Sequence, residues 1–441
     1  MARIVKKKVL KIQFETTSPL SLSNGEDINT DSDVLLDAIG KPFIPGSAIA
    51  GVILSYVKDW KGEGDTSWHD YFGFVEINRE IKEDVEIKES RLSFSDATLD
   101  SGKFYVTRRD SVALDEFKTA KNHAKFDMEV VEPGVCFTSI IEQNFLTNQD
   151  EDYIQEIFSF FRNEEISFGK KTSRGLGKIK LLKAGIKEFD FAKKEDINSW
   201  LDFDVDDMEM EEDCHRDEAY LSNDKVLCLG LRLQGGISIR EYTTDLRKDK
   251  DDVVADFRQL TEHIGNEILP VIPGTSWAGA FIHQMKRNVP GCDQTDVIDD
   301  GMKKKVFYFG YVDEETKTKA RSSVEFSETV INGGIDKVIT RNAIDRFIGG
   351  TVKGALFTEN THYYGTTNLQ IILKRLKKGT YTDMFYKGLA SAVADLHAGF
   401  MAVGGSTSIG RGIFKVTSIN GKPFEGKPED LYQIIIETLR S

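Results

Sequence analysis

Two glycine-rich stretches concentrate the groups that could hold a phosphate. The first, GKKTSRGLG, runs from Gly169 to Gly177. Gly169, Gly175 and Gly177 permit positive φ and a close backbone approach. Thr172 and Ser173 add hydroxyls, and Lys170, Lys171, Arg174 and Lys178 add positive charge. Amide, hydroxyl and cationic donors packed into one short loop match phosphate oxygens. The spacing is not that of a GxxxxGK[ST] phosphate loop. The stretch opens a strand rather than following one, which excludes the dinucleotide fingerprint. The second stretch, GGSTSIGRG, runs from Gly404 to Gly412. Gly404, Gly405, Ser406, Thr407, Ser408, Gly410 and Gly412 repeat the pattern, and Arg411 supplies charge. A structural turn is the plain alternative for either loop alone; recurrence favours a shared task.

A second pair of motifs precedes them. PFIPGSAIAGVI (Pro42 to Ile53) is answered by PVIPGTSWAGAF (Pro270 to Phe281). Each reads as the start of a helix, where free N–H groups and the positive dipole end favour anions. Gly46, Ser47, Gly274 and Thr275 are therefore candidate contacts, with Ser47 and Thr275 placed to cap. From Pro45 to Gly169 is 124 residues, and from Pro273 to Gly404 is 131. The material between also matches. YVTRR (Tyr105 to Arg109) answers VITRN (Val338 to Asn342), and SRLSFSDATL answers SSVEFSETVI. PLSLSNG answers GISIREY. The chain is thus a tandem repeat. Its domains are 1–190 and 223–441, with 191–222 as an acidic linker.

The elements that must position these loops follow from periodicity. Leu10, Ile12 and Phe14 alternate, as do Leu227, Leu229, Leu231 and Leu233, predicting half-buried opening strands. Ile49, Val52, Ile53 and Tyr56 mark one face of the helix after the IPG motif. Strands are expected near Leu92–Leu99 and Val135–Glu142. A second helix presents Ile154, Ile157, Phe158 and Phe161, and its counterpart Phe385, Leu389, Ala392, Val393 and Leu396. A closing strand follows each glycine loop. The order βαββαβ predicts an α+β fold of two tandem ferredoxin-like domains, a plan shared with RNA-recognition domains. A last helix, Pro428 to Arg440, has no counterpart in the first copy.

Composition narrows the class. The chain has 441 residues, 40% hydrophobic and 29% charged, with a net charge of −14. Acid is concentrated from Leu201 to Glu218, which reads as a solvated face. A basic stripe can coexist with such a total. Cys136, Cys214, Cys228 and Cys292 form no CxxC pair, so neither zinc nor a disulfide framework is expected. No apolar run suggests a membrane span, and the basic start lacks the apolar core of a signal peptide. A cytoplasmic protein is expected.

An IPGS-x-x-x-G motif followed far downstream by GxxTSxGxG and a final strand resembles the RAMP proteins of CRISPR effector complexes. Both motifs occur twice, so the chain looks most like a type III backbone subunit with two fused RAMP domains. The resemblance implies partners: guide RNA, complementary target RNA and other effector subunits. It also implies thumb hairpins that displace nucleotides at regular intervals. Thr107–Arg108 and Thr340–Arg341 stand where such thumbs begin. Subunits of this kind cut target RNA through an acidic residue in the loop before IPG. Asp31 lies nine residues before Gly40, and Asp256 nine before Gly265, making them the candidates; Asp33 competes in the first copy. The second loop is three residues longer between its glycine and the IPG motif. Mg²⁺ or Mn²⁺ held by Asp31 and Asp256 would suit this chemistry.

Three other readings compete. The repeats could bind guide RNA without cutting. A guide-processing nuclease would rely on His, Tyr or Lys, but no histidine sits in a glycine loop. His263 has Ala38 as its counterpart, and His397 reads as a packing residue. An unrelated ferredoxin-like enzyme would need a nucleophile–base pair, and none repeats.

Overall fold

The computed structural model describes residues 3–23, 30–62, 65–77, 85–100, 102–114, 120–164, 166–212, 224–242, 255–299, 302–312, 319–374 and 381–440. The chain divides into two compact units. The first comprises Met1–Arg108, Met128–Thr172 and Leu176–Ser222. The second comprises Arg109–Asp127, Ser173–Gly175 and Asn223–Ser441.

In the first unit, β1 (Lys6–Thr16) precedes α1 (Gly46–Lys61) and β2 (Leu92–Phe94). A hairpin, β3 (Val106–Leu114) and β4 (Ala120–Val131), of which Arg109–Asp127 is grouped with the second unit, then leads to β5 (Cys136–Phe145). After α2 (Tyr153–Arg162) comes β6 (Ile179–Asp190). The sheet is antiparallel, with β1 between β5 and β6 and β2 beyond β5. Leu10, Ile12 and Phe14 of β1 are fully buried against Ile154, Ile157 and Phe161 of α2. The expected α1 face is shifted: Ile49, Ile53 and Val57 are buried, while Val52 and Tyr56 are partly exposed. The expected strand over Leu92–Leu99 breaks after Phe94 and resumes at Thr98.

The alternation on β1 is incomplete, because Lys8 and Lys11 are buried too. The acidic segment covers that outer face. It forms α3 (Lys194–Leu201) and β7 (Glu211–Glu212), which pairs with β6. Lys11 Nζ donates to the carbonyls of Val205 and Asp206 at 2.8 and 3.1 Å. Phe189, Trp200 and Phe203 form an aromatic knot, with Phe189 5.1 Å from Trp200. The acidic stretch up to Glu212 is therefore folded onto the first unit, its carboxylates outward, rather than extended as a linker. Cys214 and the rest of the stretch to Ser222 lie outside the described residues.

The second unit repeats the plan. β8 (Lys225–Leu233) is followed by the short β9 (Phe257–Gln259) and α4 (Gly274–Asn288). Then come β10 (Val324–Phe326), the hairpin β11 (Ile335–Ile344) and β12 (Thr351–Tyr363), and β13 (Thr366–Leu373). The unit closes with α5 (Asp383–Ala398), β14 (Phe414–Ile419) and α6 (Pro428–Arg440). The sheet order β10-β13-β8-β14 matches that of the first unit. The architecture is α+β with antiparallel sheets. The α5 residues Phe385, Leu389, Ala392, Val393 and Leu396 are all buried, as periodicity predicts. α6 packs Leu431, Ile435 and Leu439 into the same core. Among the described residues, no helix is long and apolar enough to cross a membrane.

One core acid is out of place. Glu156 of α2 is buried, and burial pushes its carboxyl up to about 7, with Glu151 and Asp152 adding to the effect and Lys61 opposing it. The folded state thus holds the proton more tightly than the unfolded chain. That contribution is full below about pH 4.5 and is lost as pH rises through 7. Glu156→Gln should leave the melting temperature near wild type at pH 5 and raise it above wild type at pH 8. A variant melting no higher than wild type at pH 8 would contradict this origin.

Candidate functional site

Both glycine loops are built by the same backbone bonds. In the first, Phe168 N–H donates to Gly177 O at 2.9 Å, and Gly177 N–H to Pro19 O at 2.8 Å. In the second, Val403 donates to Gly412 O and Gly412 to Gly236 O, both at 2.9 Å. Lys170 N–H reaches Ser21 O at 2.8 Å, and Gly405 N–H reaches Ser238 O at 2.7 Å. Thr172–Arg174 and Thr407–Ile409 each form one 3₁₀ turn. Lys171 and Ser406, at equivalent places, both have φ of 56°. A non-glycine residue held there twice marks a preformed loop.

The aspartates are equivalent as well. Leu35 N–H donates to Leu22 O, and Leu260 N–H to Ile239 O, each at 2.8 Å. Leu22 and Ile239 match in the repeat. Asp31 and Asp256 each lie four residues before the donating leucine, so they share one backbone register. The three extra residues of the second loop fall later, where Thr261–Ile264 and Glu267–Ile272 form a hairpin. Both aspartates are exposed. Asp256 Oδ2 accepts the Thr358 N–H at 2.9 Å, and Asp256 N–H donates to Thr358 O at 2.8 Å. Thr358 and Thr340 hydroxyls meet at 3.0 Å across β11 and β12.

Asp33 has a different job. It is buried, and its Oδ1 accepts both the backbone N–H and the hydroxyl of Thr30 at 2.8 Å. It closes the turn that carries Asp31. The turn is fixed from the other side by Glu129, whose Oε2 accepts Val34 N–H at 3.0 Å. Lys170 Nζ donates to Ser32 Oγ at 2.9 Å, bringing glycine loop and acidic loop together. Asp33→Ala should lower unfolding free energy by ~1–3 kcal/mol, the range for an orphaned buried donor. Asp31→Ala should stay within about 0.5 kcal/mol, as for an exposed site. Urea titrations of the two variants test the distinction.

Other candidate residues are placed less openly than their types suggest. Ser47 and Thr275 are exposed and cap nothing; Pro45 and Pro273 are the N-caps, without side-chain hydrogen bonds. The Gly46 N–H is taken by Asp96 Oδ1 at 2.7 Å. A β-carbon at Gly46 would run into Phe94 O, and one at Gly274 into Phe326 O. These glycines serve close packing of helix on strand. Gly175 and Gly404, like Gly169, carry positive φ. Gly410 has φ of 82° with open space around it. Burial holds the Arg174 guanidinium below its usual pKa. Thr107 and Arg108 lie on β3, with Arg108 exposed.

Arg411 is turned inward. It is buried and paired with Glu359 of β12, itself 1% exposed. Arg341 of β11 reaches the same carboxylate oxygen at 2.5 Å. Sequence reading misses Glu359, because the repeat places Met128 at its position. It misses Asp96 too, although Glu328 stands at the matching place in the second copy. His397 is buried and its Nδ1 accepts Val416 N–H at 3.1 Å. Desolvation lowers its pKa, consistent with packing beside Phe424. Among the described residues, no three His, Cys, Asp or Glu side chains gather as a metal cluster.

No curated protein matches the chain. One similar solved structure is described as a cryo-EM structure of the Type III-B Cmr-beta bound to cognate target RNA. It shares 19% identity at a TM-score of 0.31, covering 41% of this chain and 61% of that chain. The family model of the RAMP superfamily matches residues 13–180 and 261–415, one region in each repeat. The chain belongs to the RAMP superfamily.

Proposed function

We propose that the chain is a guide-RNA-binding backbone subunit of a type III CRISPR ribonucleoprotein, which positions complementary target RNA and cleaves it through Asp31 and Asp256. The observation that carries this reading is the shared register: each repeat exposes an aspartate at one equivalent backbone position, close to a preformed glycine loop. The strand order of both units fits the ferredoxin-like plan. The tip of the β11–β12 hairpin leaves Phe347 99% and Ile348 79% exposed, which suits a thumb that wedges against bases.

In this reading the glycine loops hold guide phosphates through amides, hydroxyls and lysines. Target RNA pairs with the guide and is splayed so that a 2′-oxygen lies in line with phosphorus. That oxygen bonds to phosphorus, the bond to the 5′-oxygen breaks, the aspartate accepts the 2′-proton, and the departing 5′-oxygen takes a proton from water. The products are a 2′,3′-cyclic phosphate and a 5′-hydroxyl. A divalent ion such as Mg²⁺ needs only one or two carboxylates when phosphates and water complete its shell. Exposed Asp31 and Asp256 fit that requirement, and the ion would stabilise charge on the phosphoryl oxygens.

The test is reconstitution with partner subunits and guide, followed by incubation with end-labelled target. Cutting that requires both a complementary guide and Mg²⁺ supports the proposal. Binding without any cut supports a purely structural guide-binding subunit instead.

A further inference from the structure

We infer that Glu359 is a positioning residue, which with Arg411 forms a buried support that aims Arg341 at an RNA phosphate. The inference rests on the RNA-binding function proposed above. Its starting point is an asymmetry between the repeats. By register, Leu20 bridges Val131 as Ile237 pairs with His362, so Met128 corresponds to Glu359. Gly177 corresponds to Gly412, so Leu176 corresponds to Arg411. In the first repeat, Met128, Val130 and Leu176 form a small apolar cluster. In the second, the same place holds a carboxylate and a guanidinium.

Burying an ion pair where an apolar pair suffices gains no stability. The charged version must serve something else, and its third member shows what. Arg411 is 7% exposed and Glu359 1%, so each neutralises the other away from water. Arg341 shares Glu359 Oε1 but keeps 37% of its side chain exposed. Two guanidinia and one carboxylate leave one net positive charge, and it sits on the only partly exposed member. Arg341 is thus oriented without being neutralised. A guanidinium fixed in advance loses little entropy on gripping phosphate. Arg108 is the matching residue in the first repeat, where the corresponding pair is apolar.

The experiment uses the full chain and a fluorescein-labelled single-stranded RNA of guide length, with anisotropy read across a salt series. The key variant is Glu359→Met with Arg411→Leu, the first repeat's own pair. It removes one charge of each sign, so net charge is unchanged. We expect roughly fivefold weaker binding with the melting temperature retained. In an Arg341→Ala background, the pair exchange should have no further effect, the non-additivity of one unit. Arg341→Ala alone should flatten the salt dependence by about 0.7 in slope, one phosphate contact. Glu359→Gln gives an opposed prediction: removing a negative charge should tighten RNA binding if electrostatics rules, and weaken it if positioning does. Unchanged affinity in the exchanged pair, or tighter binding by Glu359→Gln, overturns the inference. Absence of RNA binding by the wild-type chain overturns the proposed function with it.

Discussion

Asp31→Ala should abolish one cut in target RNA, and Asp256→Ala a different one, each slowing cleavage at its site by about 10²–10³-fold. Each aspartate precedes by four residues a leucine whose N–H is bonded to the residue just after the glycine loop's own contact, Leu22 after Ser21 and Ile239 after Ser238. Both side chains are exposed, so Asp31→Ala should leave the fold undisturbed, while Asp256→Ala gives up one bond, to the Thr358 N–H. Asp256 is further oriented by the Thr358 N–H on Oδ2. Asn in place of Asp keeps the shape and removes the proton acceptor, so Asp256→Asn should be nearly as slow as Asp256→Ala. Product mapping on end-labelled target, with guide binding measured in parallel, checks this. Two cuts persisting in the double variant would defeat both assignments. Loss of guide binding in either variant would make the residue structural.

Much of this was legible because the chain states its plan twice. The IPG motifs, glycine loops and their order fixed two α+β units, and a count back from Gly40 and Gly265 found aspartates that the backbone places in one register. The three-residue insertion could not be located by counting; the hairpin of Thr261–Ile264 and Glu267–Ile272 absorbs it downstream of Asp256. What resisted reading was the use of charge. Arg411 sits in a loop that looks built for phosphate, yet Glu359, distant in sequence, draws it inward. Ser47 is a good cap by type, but the dihedral angles of Pro45 start the helix earlier, and Asp96 reaches the Gly46 N–H from the break after β2. The acidic stretch looked like a linker because its carboxylates are exposed. Its aromatic residues and backbone carbonyls, which pack on β1 and β6, carry no such signal in composition.

The glycine loops themselves yield the largest expected loss of stability. Gly412→Ala should destabilise the second unit by more than about 3 kcal/mol, combining left-handed strain with a backbone clash. Gly412 has φ of 71°, and an added β-carbon would fall on the Val403 carbonyl, which is backbone and cannot swing aside. Gly177 is its equivalent: φ is 73°, and the obstacle is the Phe168 carbonyl. Gly410, two residues before Gly412, separates stability from RNA contact. It has φ of 82° but nothing within 4 Å of a β-carbon. Gly410→Ala should therefore cost only ~1 kcal/mol. Open space beside an exposed left-handed glycine is where an RNA backbone could approach closely. If the loop grips RNA there, Gly410→Ala weakens binding far more than it shifts the urea midpoint, while Gly412→Ala lowers both together. Equal RNA affinity for Gly410→Ala and wild type would assign the loop to architecture alone.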